Sequence, residues 1–296
     1  MTTTTPHPAR SRCSPARWTG PPPPTRKACM SATGFTPDGR RAAVTSKVPE
    51  ITLMFWVAKL LTTGMGETTW DALDIAFDQV IAVTITGSLF VVAMVVQFVR
   101  RSYDAWAYWS AIVMVSVFGT TVADLVHNDL GVPYTVSTAV LFALVLAVFG
   151  LWYRVEGTLS IHSITTRRRE AFYWAAVLLT FALGTAAGDW TASTLHLGYL
   201  PSGVVFAVLF VLPAIAYALG ANAVACFWIS YVLTRPFGAS FADWFGGPPG
   251  RGGLALGMDR TAIVLTVLIV AVVAWFAVTK VDRPRVITGA PGHPTP

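Results

Sequence analysis

One pattern of residues returns four times along this 296-residue chain with the same internal spacing. An aromatic residue and Trp stand side by side, Gly follows ten residues after the Trp, and Asp follows five residues after the Gly. The four copies are Phe55-Trp56 with Gly66 and Asp71, Tyr108-Trp109 with Gly119 and Asp124, Tyr173-Trp174 with Gly184 and Asp189, and Phe227-Trp228 with Gly238 and Asp243. Because the pattern recurs every roughly 50 to 65 residues, it predicts tandem copies of one structural unit.

Composition identifies the class of protein. Hydrophobic residues make up 54% of the chain and charged residues only 12%, which is typical of a protein with several membrane spans. Eight apolar runs approach or exceed the roughly 18 residues that a membrane-crossing helix needs. They lie at 51–70, 80–99, 105–126, 134–153, 171–190, 202–219, 221–242 and 261–279. The sequence therefore predicts an all-α integral membrane protein with eight transmembrane helices, two in each repeat, since barrel strands would be shorter and would alternate in polarity.

These runs define the predicted domains. A transmembrane domain at 49–282 contains repeats at about 49–100, 101–156, 166–220 and 221–280. The leader at 1–48 is basic and contains a proline run, so we expect a disordered cytoplasmic tail, with a later start at Met30 as the alternative. Residues 283–296 are predicted to be a second cytoplasmic tail. The three cysteines show no metal or redox spacing.

The basic residues concentrate on one side of the predicted membrane. Of the 21 Lys and Arg residues, seventeen fall in the leader, in the second and fourth connections, or after the last span. The opposite side carries only Arg251 and Arg260. The positive-inside rule therefore predicts that both termini are cytoplasmic and that the protein lies in the inner or plasma membrane.

The even number of spans in each repeat fixes the relative orientation of the repeats. All four enter the membrane in the same sense, so the sequence predicts four parallel tandem two-helix repeats. Each first helix begins at the cytoplasmic surface with its aromatic-Trp pair. At a rise of about 1.5 Å per residue, the Asp lies about 22 Å beyond the Trp, near the outer boundary, and the Gly lies near mid-membrane.

The repeated Trp and Gly residues have structural interpretations. Trp at the membrane interface is typical of an anchoring belt, and packing between repeats is the alternative. Gly within a membrane helix favours the close approach of a second helix, and a backbone-lined substrate path is the alternative.

The repeated Asp residues leave two interpretations open. If the repeats surround one axis, four carboxylates at similar depth would form an acidic ring that attracts cations. Alternatively, each Asp ends its helix and hydrogen-bonds into the following turn.

Two copies add a second ligand type three residues later. Asp71 is followed by Asp74, and Asp124 is followed by His127, and this spacing places both side chains on one helix face, as a metal site requires. The other two repeats have Ala192 and Gly246 at that position. The metal interpretation, weakly carried by Asp124 and His127, is therefore incomplete, and polar interface residues are the alternative.

Three further charges lie inside predicted spans. Lys59 and Glu67 belong to the first span, and Arg235, followed by Pro236, belongs to the seventh. Lys59 is close enough to the cytoplasmic surface to snorkel. Glu67 and Arg235 have less room to do so, and we expect a buried ion pair that joins the first repeat to the last.

The chain resembles a family of uncharacterised bacterial integral membrane proteins built from four tandem copies of a repeat of unknown function. The matching stretches are KVPEITLMFWVAKLLTTGMGETTWDAL at 47–73 and YVLTRPFGASFADWFG at 231–246, and the similarity extends over roughly 47–280. The resemblance implies two transmembrane helices with a characteristic Trp in each repeat, and a membrane location. It implies no activity.

Two classes of function remain. A passive or ion-gradient-driven transporter of a small solute or cation explains Lys59, Glu67, Arg235 and the repeated Asp residues. A non-transporting scaffold or accessory subunit is the alternative, with the charges only holding the bundle together. We expect no enzyme, because the sequence lacks nucleophile–base, zinc-helix and nucleotide-binding motifs. We predict the lipid bilayer as partner, with no cofactor and no nucleic acid.

Overall fold

The computed structural model describes residues 46–284. Within that range the chain forms eight long α-helices and no β-strand. The helices are α1 Leu53–Ala76, α2 Gln79–Val99, α3 Ala105–Asp124, α4 Tyr134–Glu156, α5 Arg167–Asp189, α6 Tyr199–Ala218, α7 Ala223–Gly246 and α8 Met258–Thr279. The predicted tails lie almost wholly outside the described residues, so the prediction that the leader is disordered stays a prediction.

Side-chain caps determine where five of the helices begin. The side chains of Thr52, Asp78, Asp104, Thr166 and Asn222 each accept a hydrogen bond from a backbone N–H in the first turn of the following helix. Such caps satisfy N–H groups that have no partner within the helix. Four of the five capped helices are the first helices of the four repeats, α1, α3, α5 and α7, and we call these four the inner helices.

The inner helices form a closed ring. Contacts run from α1 to α3, from α3 to α5, from α5 to α7, and from α7 back to α1. The second helix of each repeat packs mainly on the first helix of the next repeat: α2 on α3, α4 on α5, α6 on α7, and α8 on α1. The repeats are therefore interlocked, and the last repeat closes on the first.

The repeated glycines lie at the contacts between inner helices. A Cβ added at Gly66, Gly119, Gly184 or Gly238 would come within 3 Å of a side chain on the next inner helix. The residues met there are Ser116, Phe181, Arg235 and Thr63, each of which follows the Trp of its own repeat by seven positions. The prediction of close helix approach at these glycines is confirmed, because a larger residue would force neighbouring helices apart.

The aromatic-Trp pairs form a second closed set of contacts near the start of the inner helices. Each aromatic ring packs against the Trp of the next repeat, and the fourth ring packs against the Trp of the first. The ring-centroid distances are 5.7 Å for Phe55–Trp109, 5.8 Å for Tyr108–Trp174, 6.1 Å for Tyr173–Trp228 and 5.8 Å for Phe227–Trp56.

This burial corrects one expectation. Trp109, Trp174 and Trp228 are buried and Trp56 is half-buried, so the interpretation of the four Trp residues as an anchoring belt is wrong for three of them. The alternative, packing between repeats, describes their environment. The indoles fill the seams between inner helices because the interlocked outer helices cover them.

The outer surface indicates a membrane protein. The helices α2, α4, α6 and α8 expose many Val, Leu and Ile side chains. By length and composition, six helices are able to cross a membrane: these four and the inner helices α3 and α5. The other two, α1 and α7, carry the charges Lys59, Glu67, Asp71, Arg235 and Asp243. Outer helices pack on both of them, α8 on α1 and α6 on α7.

Candidate functional site: a polar axis inside the helix ring

Arg235 of α7 joins all four repeats. Its side chain is 1% exposed, and it forms an ion pair with Glu67 of α1. It also donates to the hydroxyl oxygens of Thr120 in α3 and Thr185 in α5, the latter at 2.8 Å. A further hydrogen bond of 2.8 Å runs to the backbone carbonyl of Thr63. The predicted ion pair between Glu67 and Arg235 is present, with two hydroxyl partners that were not predicted.

The repeat register explains why these partners meet. Glu67, Thr120 and Thr185 each lie eleven residues after the Trp of their own repeat, so they occupy equivalent places on three inner helices. Gly184 provides the space, because a Cβ there would collide with the Cβ and Cγ atoms of Arg235. A buried guanidinium needs several acceptors to offset its desolvation, and the other three repeats supply them.

Lys59 lies further toward the start of α1 and is 1% exposed. Its ammonium nitrogen is 3.6 Å from the ring centroid of Phe181 and 4.0 Å from that of Tyr231. It has no hydrogen-bond acceptor among the described residues. The expectation that Lys59 snorkels to the surface is wrong, because the side chain is enclosed by α5 and α7 and is held against two aromatic faces.

Carboxylates gather toward the other end of the inner helices. Glu67, Asp71 and Asp243 each offer an oxygen atom, and these three oxygens lie within 4.8 Å of one another. Asp124 and Asp189 lie within electrostatic range of Glu67, as do Asp71 and Asp243. We call Glu67 and the four repeated aspartates the acidic layer.

The two interpretations of the aspartates apply to different repeats. The helix α1 continues five residues past Asp71 and α7 continues three past Asp243, so neither of these carboxylates ends its helix. By contrast, α3 ends at Asp124 and α5 ends at Asp189, and each passes into a π-helical turn. The side chain of Asp124 nevertheless accepts a 2.6 Å hydrogen bond from the indole N–H of Trp70 in another repeat. Asp71 and Asp243 therefore converge with Glu67, whereas Asp124 and Asp189 stand at the ends of their helices.

The second members of the sequence-predicted metal pairs have other surroundings. Asp74 is exposed, and the Nδ1 atom of His127 is 2.9 Å from the carbonyl oxygen of Val132. The His127 ring also stacks on Tyr134 at 3.5 Å between centroids. The weak metal prediction for Asp124 and His127 is therefore not supported by their geometry, because α3 passes into a π-helical turn at Leu125–Asp129. The carboxylates that do converge come from different repeats.

Two tyrosine hydroxyls meet at the start of the inner helices. The aromatic layer consists of Phe55, Tyr108, Tyr173 and Phe227, all buried. The hydroxyl oxygens of Tyr108 and Tyr173 are 2.6 Å apart. Tyr231, 1% exposed, lies one turn further in, within electrostatic range of Tyr173. The sequence indicated only the aromatic character of Tyr108 and Tyr173 and did not single out their hydroxyls, and it did not single out Tyr231.

A belt of contacts ties the same end of the bundle together. The Lys47 ammonium lies 2.6 Å from the Glu170 carboxylate, to which Gln97 also donates at 3.2 Å. After α8, the Asp282 carboxylate accepts a hydrogen bond from the Tyr103 hydroxyl. Burial raises the pKa of Asp282 above its ordinary value of 3.8. The belt draws on residues before α1, at the ends of α2 and α8, and at the start of α5.

The fold and this axis define a helical protein of tandem repeats with a charged interior and an apolar outer surface that is typical of membrane proteins. A family model described as Repeat of Unknown Function (DUF347) matches residues 107–158, 172–220 and 226–282, which together make up more than half of the chain. The chain belongs to this family. Its matched segments contain the second, third and fourth copies of the spacing described above. Searches of curated proteins and of solved structures found no match.

Proposed function

We propose that the protein is a membrane transporter for a small cation, either passive or driven by an ion gradient. One observation carries the proposal: five carboxylates, from Glu67, Asp71, Asp124, Asp189 and Asp243, lie within electrostatic range of a single buried cationic side chain, Arg235. An excess of carboxylates in a low-dielectric bundle is costly unless protons or cations neutralise it. A site that attracts cations within a ring of helices has the chemistry that a cation path requires.

The membrane arrangement is part of the proposal. All eight helices would cross the inner or plasma membrane as four parallel repeats, with both termini cytoplasmic. The charges of α1 and α7 face the ring axis instead of lipid, which makes two polar spans tolerable. Exposed Arg100 and Arg101 lie just before α3, at the end where its aromatic-Trp pair stands, as the positive-inside rule expects.

Accessibility labelling tests this topology. Ser102 and Asn128 are both exposed and flank α3 on opposite ends. In a cysteine-free background, Ser102→Cys should react with a membrane-impermeant maleimide only after the cells are opened, whereas Asn128→Cys should react in intact spheroplasts. Labelling of both positions from the same side would contradict the parallel arrangement.

Flux measurements test the transport activity. The purified protein is reconstituted in liposomes, and uptake of protons and of divalent cations is followed with fluorescent indicators inside the vesicles. We expect flux in the wild-type protein and at least about a tenfold loss in Glu67→Gln and Asp71→Asn, because each removes a charge from the acidic layer. Asp74→Asn is the matched control, since Asp74 lies on the same helix but is exposed.

The scaffold alternative is favoured by a different observation. Arg235 is held by groups from the other three repeats, and the aromatic layer is closely packed. Both features would serve a rigid, non-transporting bundle equally well. Absence of flux for every cation tested, combined with a folded and stable protein, would favour the scaffold. We propose no catalytic role under either alternative.

A further inference from the structure

We infer that the cation that crosses the ring axis is the proton, and that Lys59, Tyr231, Tyr173 and Tyr108 carry it through the half of the axis beyond the acidic layer. This inference rests on the proposed transport function and names its substrate. It follows from the residues that line the two halves of the ring axis. One half contains the acidic layer, and the other contains the aromatic layer and is called the aromatic half. The acidic layer offers carboxylates to any cation, whereas the aromatic half offers hydroxyls and one amine.

The aromatic half is too closely packed for a hydrated metal ion. Phe55, Tyr108 and Tyr173 are at most 1% exposed, and Phe227 is 8% exposed. Each ring also packs against the Trp of the next repeat, so the layer is held in place from all sides. A metal ion would have to exchange its water shell for ligands, and the aromatic layer presents no carboxylate to replace that shell.

A proton needs only a series of groups that accept and donate hydrogen bonds. Two of the four positions in the aromatic layer carry tyrosine, and the other two carry phenylalanine. The hydroxyl oxygens of the two tyrosines, Tyr108 and Tyr173, are 2.6 Å apart. A phenolic hydroxyl accepts a proton on its oxygen while it releases its own to the next acceptor. The hydroxyl pair is therefore a relay across a layer that is otherwise apolar.

Lys59 connects this relay to the charged centre. Its nitrogen lies over the rings of Phe181 and Tyr231 and has no hydrogen-bond acceptor among the described residues. A permanent ammonium in such a place lacks a compensating partner, but an amine that takes up and releases a proton does not have to stay charged. The charged group within electrostatic range of it is Arg235 on α7, and Glu67 lies about two turns further along α1.

The path conserves charge and atoms at each step. A proton bound at the acidic layer passes to the Lys59 amine, which becomes an ammonium, and then leaves it for the hydroxyl oxygen of Tyr231. The Lys59 nitrogen lies over the Tyr231 ring, and neither it nor the Tyr231 hydroxyl has a hydrogen-bond partner among the described residues, so the transfers to and from Tyr231 require these side chains to rotate into contact. The Tyr231 oxygen then releases its own proton to Tyr173, which does the same toward Tyr108 across the 2.6 Å hydroxyl contact. Beyond the aromatic layer the ring of Tyr103 lies 5.8 Å from that of Tyr108, and its hydroxyl bonds to Asp282. Asp282 is the final acceptor at the end where the inner helices begin.

Proton flux in liposomes tests the inference. Vesicles containing the full-length protein and a pH-sensitive dye are given a potassium gradient and valinomycin, so that the membrane potential drives protons. We expect Tyr173→Phe and Lys59→Met each to reduce the proton flux about tenfold or more. Tyr217→Phe is the matched control, because Tyr217 is 60% exposed on the outer helix α6 and should leave the flux unchanged.

The outcomes separate this inference from the proposed function. Flux of a divalent cation without proton flux would overturn the inference and leave the transport function standing, whereas absence of any flux would overturn both. Proton flux that is equal in the wild-type protein, Tyr173→Phe and Lys59→Met would also overturn the inference. Size-exclusion profiles and melting temperatures in detergent show whether each variant is folded. If Lys59→Met does not fold, Tyr108→Phe takes its place, because it removes one hydroxyl and retains the ring.

Discussion

Arg235 of α7 and Glu67 of α1 form an ion pair between the last repeat and the first, across a separation of 168 residues in the chain. Both side chains are almost wholly buried, and the same guanidinium also bonds to Thr120 and Thr185 of the intervening repeats. One side chain thus links four helices that the sequence places far apart. This relationship explains why α1 and α7 tolerate charges that the other six helices lack at their centres.

The ion pair is predicted to be strongly coupled. Removing one partner of a buried pair leaves an uncompensated charge, which costs about 3–5 kcal/mol. We expect Glu67→Gln and Arg235→Gln each to lower the free energy of unfolding by this order, and the double variant to lose less than the sum by about 1–3 kcal/mol. Unfolding in mixed detergent micelles gives the free energies of the wild-type protein, both single variants and the double variant, which together form a double-mutant cycle.

A control for that cycle lies on the surface. Arg168 forms an ion pair with Glu156, but its side chain is 66% exposed. Exposed pairs are screened by water and salt and contribute little, so Arg168→Gln should change the free energy of unfolding much less than Glu67→Gln or Arg235→Gln. Additive effects of Glu67→Gln and Arg235→Gln would mean that the two side chains do not interact.

Substitution by alanine should have opposite effects on stability at a glycine in a tight helix contact and at a glycine with open space around it. A Cβ at Gly238 would collide with the side chain of Thr63 on α1, so Gly238→Ala should separate α7 from α1 and cost about 1–3 kcal/mol. Gly150 on the outer helix α4 has no neighbour within 4 Å of such a Cβ, and Gly150→Ala should gain about 0.5–1 kcal/mol from helix propensity. Melting temperatures in detergent compare the two, and a stabilising Gly238→Ala would be inconsistent with the contact.

Asp282 predicts a pH dependence of stability. Burial raises the pKa of its carboxyl above the ordinary 3.8, so the folded protein binds a proton more tightly than the unfolded chain. The stabilisation from this group is complete below pH 3.8 and is lost as the pH rises through the folded pKa. Melting temperatures measured upward from about pH 4 should therefore fall less steeply in Asp282→Asn than in the wild-type protein.

The two proteins are compared by the slope of melting temperature against pH and not by the melting temperature itself, because Asp282→Asn also alters the hydrogen bond from Tyr103. Asp259→Asn, at an exposed position at the start of α8, controls for the removal of a carboxyl elsewhere. Identical slopes in the wild-type protein and Asp282→Asn would show that the carboxyl has the same proton affinity in both states.

The repeated glycines predicted the close helix contacts, which depend on the register of the repeat, whereas the ion pair was predicted from two opposite charges inside predicted spans. Equivalent positions on equivalent helices must meet equivalent neighbours once the ring closes, as Gly66 and Gly238 do. Register also contained a signal that was not used: Glu67, Thr120 and Thr185 lie at one position of the repeat. Aligning polar residues across the copies would have found the partners of Arg235.

Other features depend on which helix covers which, and spacing does not contain that information. The sequence placed Lys59 near the start of α1, close enough to the surface to snorkel. In the structure, Phe181 of α5 and Tyr231 of α7 enclose it. The same holds for Trp109 and Trp174, which are buried because each outer helix packs on the next repeat instead of its own. An interlocked arrangement of this kind is a property of the closed ring and of no single repeat.

Disulfide cross-linking between α1 and α7 tests ring closure, on which the polar axis depends, most directly. A Cβ at Gly64 would lie 3.4 Å from the Cβ of Ala242, close to the separation found in disulfides. With the native cysteines replaced by serine, oxidation of Gly64→Cys/Ala242→Cys in membranes should form an intramolecular bond in most molecules, whereas Gly150→Cys/Ala242→Cys should form none. Failure of the first pair to cross-link, although both cysteines are present and the protein is folded, would contradict the closed ring.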